Sequence, residues 1–308
     1  MVGSAATAAA PTGLPAHVYA PYFETWTADG ITTTAQQSGA RYFTLAFLET
    51  LGKRSCTLVW NGSKTHRLGS GRYLSDIASL RAMGGEVIPS FGGWSADQRG
   101  REIADSCKNV NAIAAAYESV ITTYDVTRLD MDVEGRSLKR IGGIDRRNKA
   151  IKIVEDWAAR QGRPLQISYT LPAMPDGLQP SGMAILQNAI ANGTHIDVVN
   201  IMAFDYYDGV TTDMGSAAIS AAQGLFDQLE SLYPAKTDSQ IWAMEGVTIL
   251  PGIDDYPKKT EVTYPADAQR LCDFAKSVGV NTLSIWAIQR DKAGPWSFSE
   301  ILETFTGN

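Results

Sequence analysis

The sequence predicts an α/β protein built as a single (β/α)8 barrel, the TIM barrel, and three observations carry that prediction. Short apolar runs alternate eight times with amphipathic stretches along the 308 residues. Gly39, Gly84, Gly162, Gly193 and Gly279 stand where several of the amphipathic stretches stop, as helix C-terminal glycines do. No break in composition divides the chain, and its length suits one barrel of ordinary size. A doubly wound sheet is the alternative. It needs a Gly-rich phosphate loop after the first strand, and Tyr22-Phe23-Glu24-Thr25-Trp26 is not one.

Taken in order, the apolar runs predict strands at 17–24 (HVYAPYFE), 42–49 (YFTLAFLE), 86–91 (EVIPSF) and 126–134 (VTRLDMDVE). Four more follow at 165–171 (LQISYTL), 196–204 (IDVVNIMAF), 240–247 (QIWAMEGV) and 281–288 (NTLSIWAI). Helical patterns fall between them near 32–39, 71–83, 109–123, 145–161, 181–192, 214–232 and 265–278, with a short last one near 298–305. Residues 1–15, rich in Ala, Gly, Ser, Thr and Pro, read as a linker or a trimmed end. They have no apolar core of a signal peptide. The barrel domain is therefore placed at 16–308.

Composition narrows the partners. Hydrophobic residues make up 44% and charged residues 19%, as in a globular protein. A net charge of -6 without any Lys/Arg run argues against nucleic acid. No apolar stretch approaches the ~20 residues that cross a membrane. A monomer without cofactor is expected, and no Cys or His spacing forms a metal site. Cys56 and Cys107 both fall in loops after neighbouring strands, so they are candidates for a disulfide, which would imply export. Cys272, within Leu271-Cys272-Asp273-Phe274, reads as a buried free thiol on a helix.

The most informative segment is Asp130-Met131-Asp132-Val133-Glu134. Side chains two apart on a strand share a face, so the three acids point one way and Met131 and Val133 the other. Burying unpaired charge costs several kcal/mol, so such a ladder does not exist for stability. The three acids share protons, hold a cation, or do acid–base work. Calcium sites draw oxygens from loops, because three side chains on one strand cannot surround an ion. A solvent-facing acidic strand end conflicts with the apolar Leu129, Met131 and Val133 opposite.

In a barrel the active site lies at the C-terminal ends of the strands. Several strand ends here are polar or aromatic. They include Glu24, Trp26, Glu49, Trp94, Glu134, Tyr169, Asp205-Tyr206-Tyr207, Glu245, Trp286 and Gln289. Singly, each reads as a loop or rim residue. Together they outline an acidic cleft lined with rings, and flat rings suit the C–H faces of sugars.

On these residues the chain resembles the family 18 glycoside hydrolases, the chitinase family. Asp130-Met131-Asp132-Val133-Glu134 resembles the end of the family's fourth-strand D-x-x-D-x-D-x-E, and Ser90-Phe91-Gly92-Gly93 its third-strand S-x-G-G. Met202-Ala203-Phe204-Asp205-Tyr206 resembles the sixth-strand M-x-Y-D-Y, and Trp286 the eighth-strand tryptophan. The barrel pattern covers roughly 16–305, and the motifs fall in order on the expected strands. Two positions depart from the family: Thr127 replaces the first Asp, a position expected deepest in the barrel, and Phe204 replaces the Tyr that bonds the reacting acetamido group.

The resemblance implies hydrolysis of β-1,4-linked N-acetylglucosamine polymers with retention, in which the substrate's 2-acetamido oxygen attacks the anomeric carbon. It implies that Glu134 protonates the glycosidic oxygen and then activates water. Asp132 would bond the acetamido N–H, and Asp130 would share a proton with Asp132. Asp205 and Tyr206 would hold the acetamido group, Tyr206 or Tyr169 replacing the hydroxyl lost at Phe204. Trp286 would form the floor, with Met202, Phe204, Trp94, Tyr169 and Gln289 as further substrate contacts. Some members carry a large insertion after the seventh strand. Val247 to Leu283 has room only for the loop Pro251-Gly252-Ile253-Asp254-Asp255 and one helix, so an open, endo-acting cleft and a secreted enzyme are expected. The alternatives are an endo-β-N-acetylglucosaminidase acting on N-glycans and a non-catalytic chitin-binding lectin of the same fold. Lectins of the family usually lose the acid, and Glu134 is present.

Overall fold

A computed structural model describes residues 13–255 and 261–307. The expected linker lies largely at 1–12, outside the described residues. The eight barrel strands are β1 (in two segments, Val18–Tyr19 and Tyr22–Glu24), β2 (Tyr42–Thr50), β3 (Glu86–Gly92) and β4 (Arg128–Asp132). They continue as β5 (Gln166–Met174), β6 (Val198–Met202), β7 (Glu245–Ile249) and β8 (Thr282–Ile285). All pair in parallel with their sequence neighbours.

The first strand closes the barrel. Its Val18–Tyr19 segment pairs with β8 and its Tyr22–Glu24 segment with β2. The change of partner falls at Ala20-Pro21. The Ala20 N–H donates to the Leu283 carbonyl, while the Pro21 carbonyl accepts from Thr44 N–H, each at 2.9 Å. Pro21 has no N–H to offer a ladder, so the strand bends where pairing would be lost in any case.

Helices cover the outside: Ile31–Ser38, Leu74–Ala82, Val110–Tyr124, Ile141–Arg160, Pro180–Ala191, Met214–Leu232 and Pro265–Val278, then Ser297–Leu302. The outward faces of the strands join them in one apolar cluster, in which Leu129 and Met131 lie with Ile113, Val120, Ile151 and Val154. This is the expected division of labour on β4: alternate residues feed the outer core, and the others fill the barrel.

The seventh strand falls later than the sequence predicts. Thr237 and Gln240 form a reciprocal capping box that starts a helix at Asp238–Trp242, and Trp242 stacks on Phe226 at 4.5 Å. The apolar run is therefore first a helix turn, and β7 begins only at Glu245. Glu245 consequently sits at the bottom of the barrel, not at the cleft. After β7, Gly252–Ile253 pairs antiparallel with Val262–Thr263, where a plain loop is expected, and the Pro265–Val278 helix follows. Among the described residues, no large module follows strand seven.

Cys56 and Cys107 form the disulfide, joining the excursion after β2 to the end of the short Ile103–Ser106 helix. Cys272 is a buried free thiol on the Pro265–Val278 helix.

Candidate active site

The inward face of β4 carries Arg128, Asp130 and Asp132, and Glu134 follows two residues beyond the strand. Asp130 is deeply buried in a cage of hydroxyls. Ser90 Oγ and Ser168 Oγ each donate to it at 2.6 Å, Thr170 Oγ1 at 2.8 Å, and Tyr22 Oη lies at 3.0 Å. Strand register makes the cage, because Ser90, Asp130 and Ser168 lie abreast on β3, β4 and β5. Burial raises the Asp130 pKa and the hydroxyls pull it back.

Asp132 has no such cage. Its Oδ1 is buried without a hydrogen-bond partner. Burial first, then the negative neighbours Glu134, Asp130 and Asp97, hold its pKa well above the usual carboxylate range. Asp130, with four hydroxyls around it, is therefore the better seat for the negative charge and Asp132 the better seat for the proton. Glu134 is partly buried at the cleft. Burial and nearby Asp205 push its pKa up to about 7, against the pull of the Trp94 backbone N–H. An acid with that pKa is half-protonated near neutrality, as a general acid must be.

The S-x-G-G segment has a steric role. At Gly92, where φ is +105°, a Cβ would lie 2.1 Å from the Asp132 carbonyl oxygen. Only glycine lets β3 approach the end of β4 so closely. Gly93 then caps the helix Trp94–Arg99, whose Asp97 is fully buried and accepts the Glu134 N–H at 2.5 Å. Asp97 thus fixes the backbone of the outermost acid. Nothing in the sequence singles it out, because it lies in a loop helix outside the barrel's periodicity.

Above the ladder opens a cleft of about 820 Å³, lined by Asp132, Glu134, Asp205, Glu49 and Asp255, with Arg99. Its floor is aromatic. Trp286 stacks on Phe47 at 5.5 Å and 17°, Trp26 stacks on Phe47 from farther out, and Tyr22 meets Trp286 edge-on. Trp94, Met202 and Phe204 also line the cleft, and Trp94 is 60% exposed. Phe47, central to the stack, is a cleft residue that the sequence reading passes over as part of an apolar strand.

Four expected residues lie elsewhere. Tyr169 points outward from β5 and donates to Asn148 Oδ1 on the helix outside at 2.5 Å, so its parity places it in the outer core. Tyr206 is buried below its loop, does not line the cleft, and receives no partner for its hydroxyl there; Tyr207 lines the cleft instead and bonds Asp205. The reason is that β6 ends at Met202, and Asp205 and Tyr207 both take left-handed φ near +55°, so strand alternation no longer applies. Gln289 is used up supporting the rim, accepting from Glu24 N–H at 3.1 Å. Thr127 precedes β4 and is partly exposed, so the deepest inward residue is Arg128.

A closed (β/α)8 barrel with an acid ladder on its fourth strand, beneath an aromatic-floored cleft, defines the class of barrel glycoside hydrolases. The chain belongs to the glycosyl hydrolases family 18, whose family description matches residues 18–247. It is 33% identical to the "Probable bifunctional chitinase/lysozyme" of Escherichia coli (strain K12), covering 95% of this chain and 35% of that protein. It is 34% identical to "Endochitinase 11" of Metarhizium anisopliae, covering 90% of this chain and 53% of that protein. The chain thus spans about a third to a half of the length of these relatives. Among solved structures, active domain 2 of the thermostable chitinase from Pyrococcus furiosus, complexed with chito-oligosaccharides, superposes with a TM-score of 0.82 at 29% identity. That match covers 95% of each chain.

Proposed function

We propose that this domain is a chitinase that cleaves β-1,4-linked N-acetylglucosamine chains with retention, using the substrate's 2-acetamido oxygen as nucleophile. One observation carries the reading: Glu134, with its pKa raised to about 7, stands at the cleft directly above a partnerless Asp132 oxygen and a caged, charged Asp130. A sugar seated on Trp286 presents its glycosidic oxygen to Glu134. Glu134 gives its proton to the leaving oxygen, and the resulting carboxylate takes a proton from water in the second step. The free oxygen of Asp132 accepts the acetamido N–H, a hydrogen bond that strengthens as that N–H becomes part of the positive oxazolinium. Asp205, bonded to Tyr207 at the rim, supports the acetamido side in the role expected of Tyr206. No enzyme carboxylate attacks the sugar, so the reaction requires an N-acetyl group at the cleaved unit.

The short connection after β7 leaves the cleft open along one side, which favours endo-action on a long chain. The Cys56–Cys107 disulfide favours an exported protein. Glu134→Gln tests the reading. Hydrolysis of N-acetylglucosamine oligomers should fall about 10²–10⁴-fold while binding is kept. Binding without turnover by the parent protein would make it a lectin, and release of N-glycans in preference to oligomer cleavage would make it an endo-β-N-acetylglucosaminidase. Rapid loss of viscosity of a soluble chitin derivative supports endo-action; release of disaccharide alone from chain ends rejects it.

A further inference from the structure

Arg128 is the most deeply placed charge in the barrel, 2% exposed, on the same inward face as the ladder. Its guanidinium is tied to neutral side chains only. Nε and Nη2 donate to Gln166 Oε1 at 3.0 and 2.9 Å, Nη1 to Thr282 Oγ1 at 3.0 Å, and Nη2 to Asn281 Oδ1 at 3.1 Å. Among the described residues no carboxylate comes within ion-pairing distance of it. Arg128 and Asp130 line one small interior cavity, and two residues along a strand set them ~6.6 Å apart.

A buried guanidinium without an ion-pair partner costs stability, so packing alone does not account for it. It does complete the charge balance of the interior. One positive charge at the floor matches one negative charge on Asp130, with the proton on Asp132.

We propose that Arg128 is a positioning residue for the carboxylate ladder: its fixed charge below β4 holds the negative charge on Asp130 and leaves the proton on Asp132. The proposal rests on the hydrolase reading for its consequence in catalysis, and on electrostatics alone for the titration. Two charged groups act on Arg128: Asp130 above it on its own strand, and Asp197 just before β6. From β5 and β8 it meets only the neutral Gln166, Asn281 and Thr282. The Asp130–Asp132 pair in turn faces Glu134 just beyond its own strand, Asp97 behind β3, and the Tyr22 hydroxyl of β1.

A positive charge favours the ionised carboxylate, so removing it raises the pH at which the pair first loses a proton. The experiment compares Arg128→Met, Arg128→Lys and Asp197→Asn. It uses the pH profile of kcat/KM on N-acetylglucosamine tetramer, and ¹³C-carboxyl NMR titration of aspartate-labelled protein. In Arg128→Met the acid limb and the pair's titration should move up by about one pH unit. Its kcat should fall tenfold or more at unchanged KM. Arg128→Lys should restore the parent profile. Asp197→Asn, which strengthens the field of Arg128, should move both to lower pH. A folded Arg128→Met protein with the parent's limb and titration overturns the proposal, as does a shift of the same size in Arg128→Lys. Should Arg128→Met fail to fold, an unmoved titration in Asp197→Asn overturns it. The NMR titration needs no turnover: a shift seen in a protein that cleaves nothing keeps the Arg128 coupling and rejects the hydrolase reading.

Discussion

At the residue scale, two carboxylates a strand-step apart differ because their surroundings differ. Asp130 receives hydroxyl hydrogens and keeps its charge; Asp132 receives none at Oδ1 and keeps its proton. Glu134 is set apart by position, partly open to the cleft and pushed up to about 7. A general acid works only while protonated, so kcat/KM should fall on the alkaline side as pH rises through about 7. Asp205 is one of the groups that raises Glu134. Removing that negative charge makes ionisation of Glu134 easier, so Asp205→Asn should move the alkaline limb to lower pH, read from the same pH–rate profile. An unmoved limb would mean that Asp205 acts on the substrate alone. The ladder was legible because its period of two needs only β4 to be a strand. Which of Tyr206 and Tyr207 faces the cleft was not, because the left-handed residues 205 and 207 break the period, and Asp97 was not, because it belongs to a loop.

At the element scale, the barrel is a set of registers that bring small residues against β4. Gly92 is where this matters most, since any Cβ there meets the Asp132 carbonyl. Gly92→Ala should force β3 away from β4, break the Gly93 N–H contact with the Asp132 carbonyl, and loosen the helix that carries Asp97. The expected cost is about 1–3 kcal/mol of stability. It should come with a larger loss of kcat than of substrate affinity, measured by denaturant unfolding and steady-state kinetics. Unchanged activity would show that the approach of the two strands is not what aligns the acids. Seven of the eight strands lie near their expected places because buried parallel strands are continuous apolar runs. The seventh was displaced because a capping box outweighs a short apolar run: Thr237 and Gln240 start a helix, and Ile241 and Trp242 are as apolar on a helix as on a strand.

At the scale of the whole molecule, the barrel separates a working end from a supporting end, and both bury charge. At the bottom, Glu245 is buried with neither carboxylate oxygen hydrogen-bonded, and burial raises its pKa to about 9. Its proton stays on in the folded state and is lost near the ordinary carboxylate pKa in the unfolded chain. Folding is therefore penalised increasingly as pH rises from about 4.5 toward 9. Glu245→Met should flatten the fall of Tm between pH 5 and 8, and stabilise the protein at pH 8 by about 1–3 kcal/mol. An unchanged slope would mean that Glu245 is not the linked group. At the working end the proposal to be tested is that the sugar's own acetamido group is the nucleophile. The most direct measurement is the ¹H NMR spectrum of the first products from an N-acetylglucosamine tetramer, recorded before mutarotation. The β-anomer should form first at the new reducing end; an initial excess of the α-anomer would contradict the account.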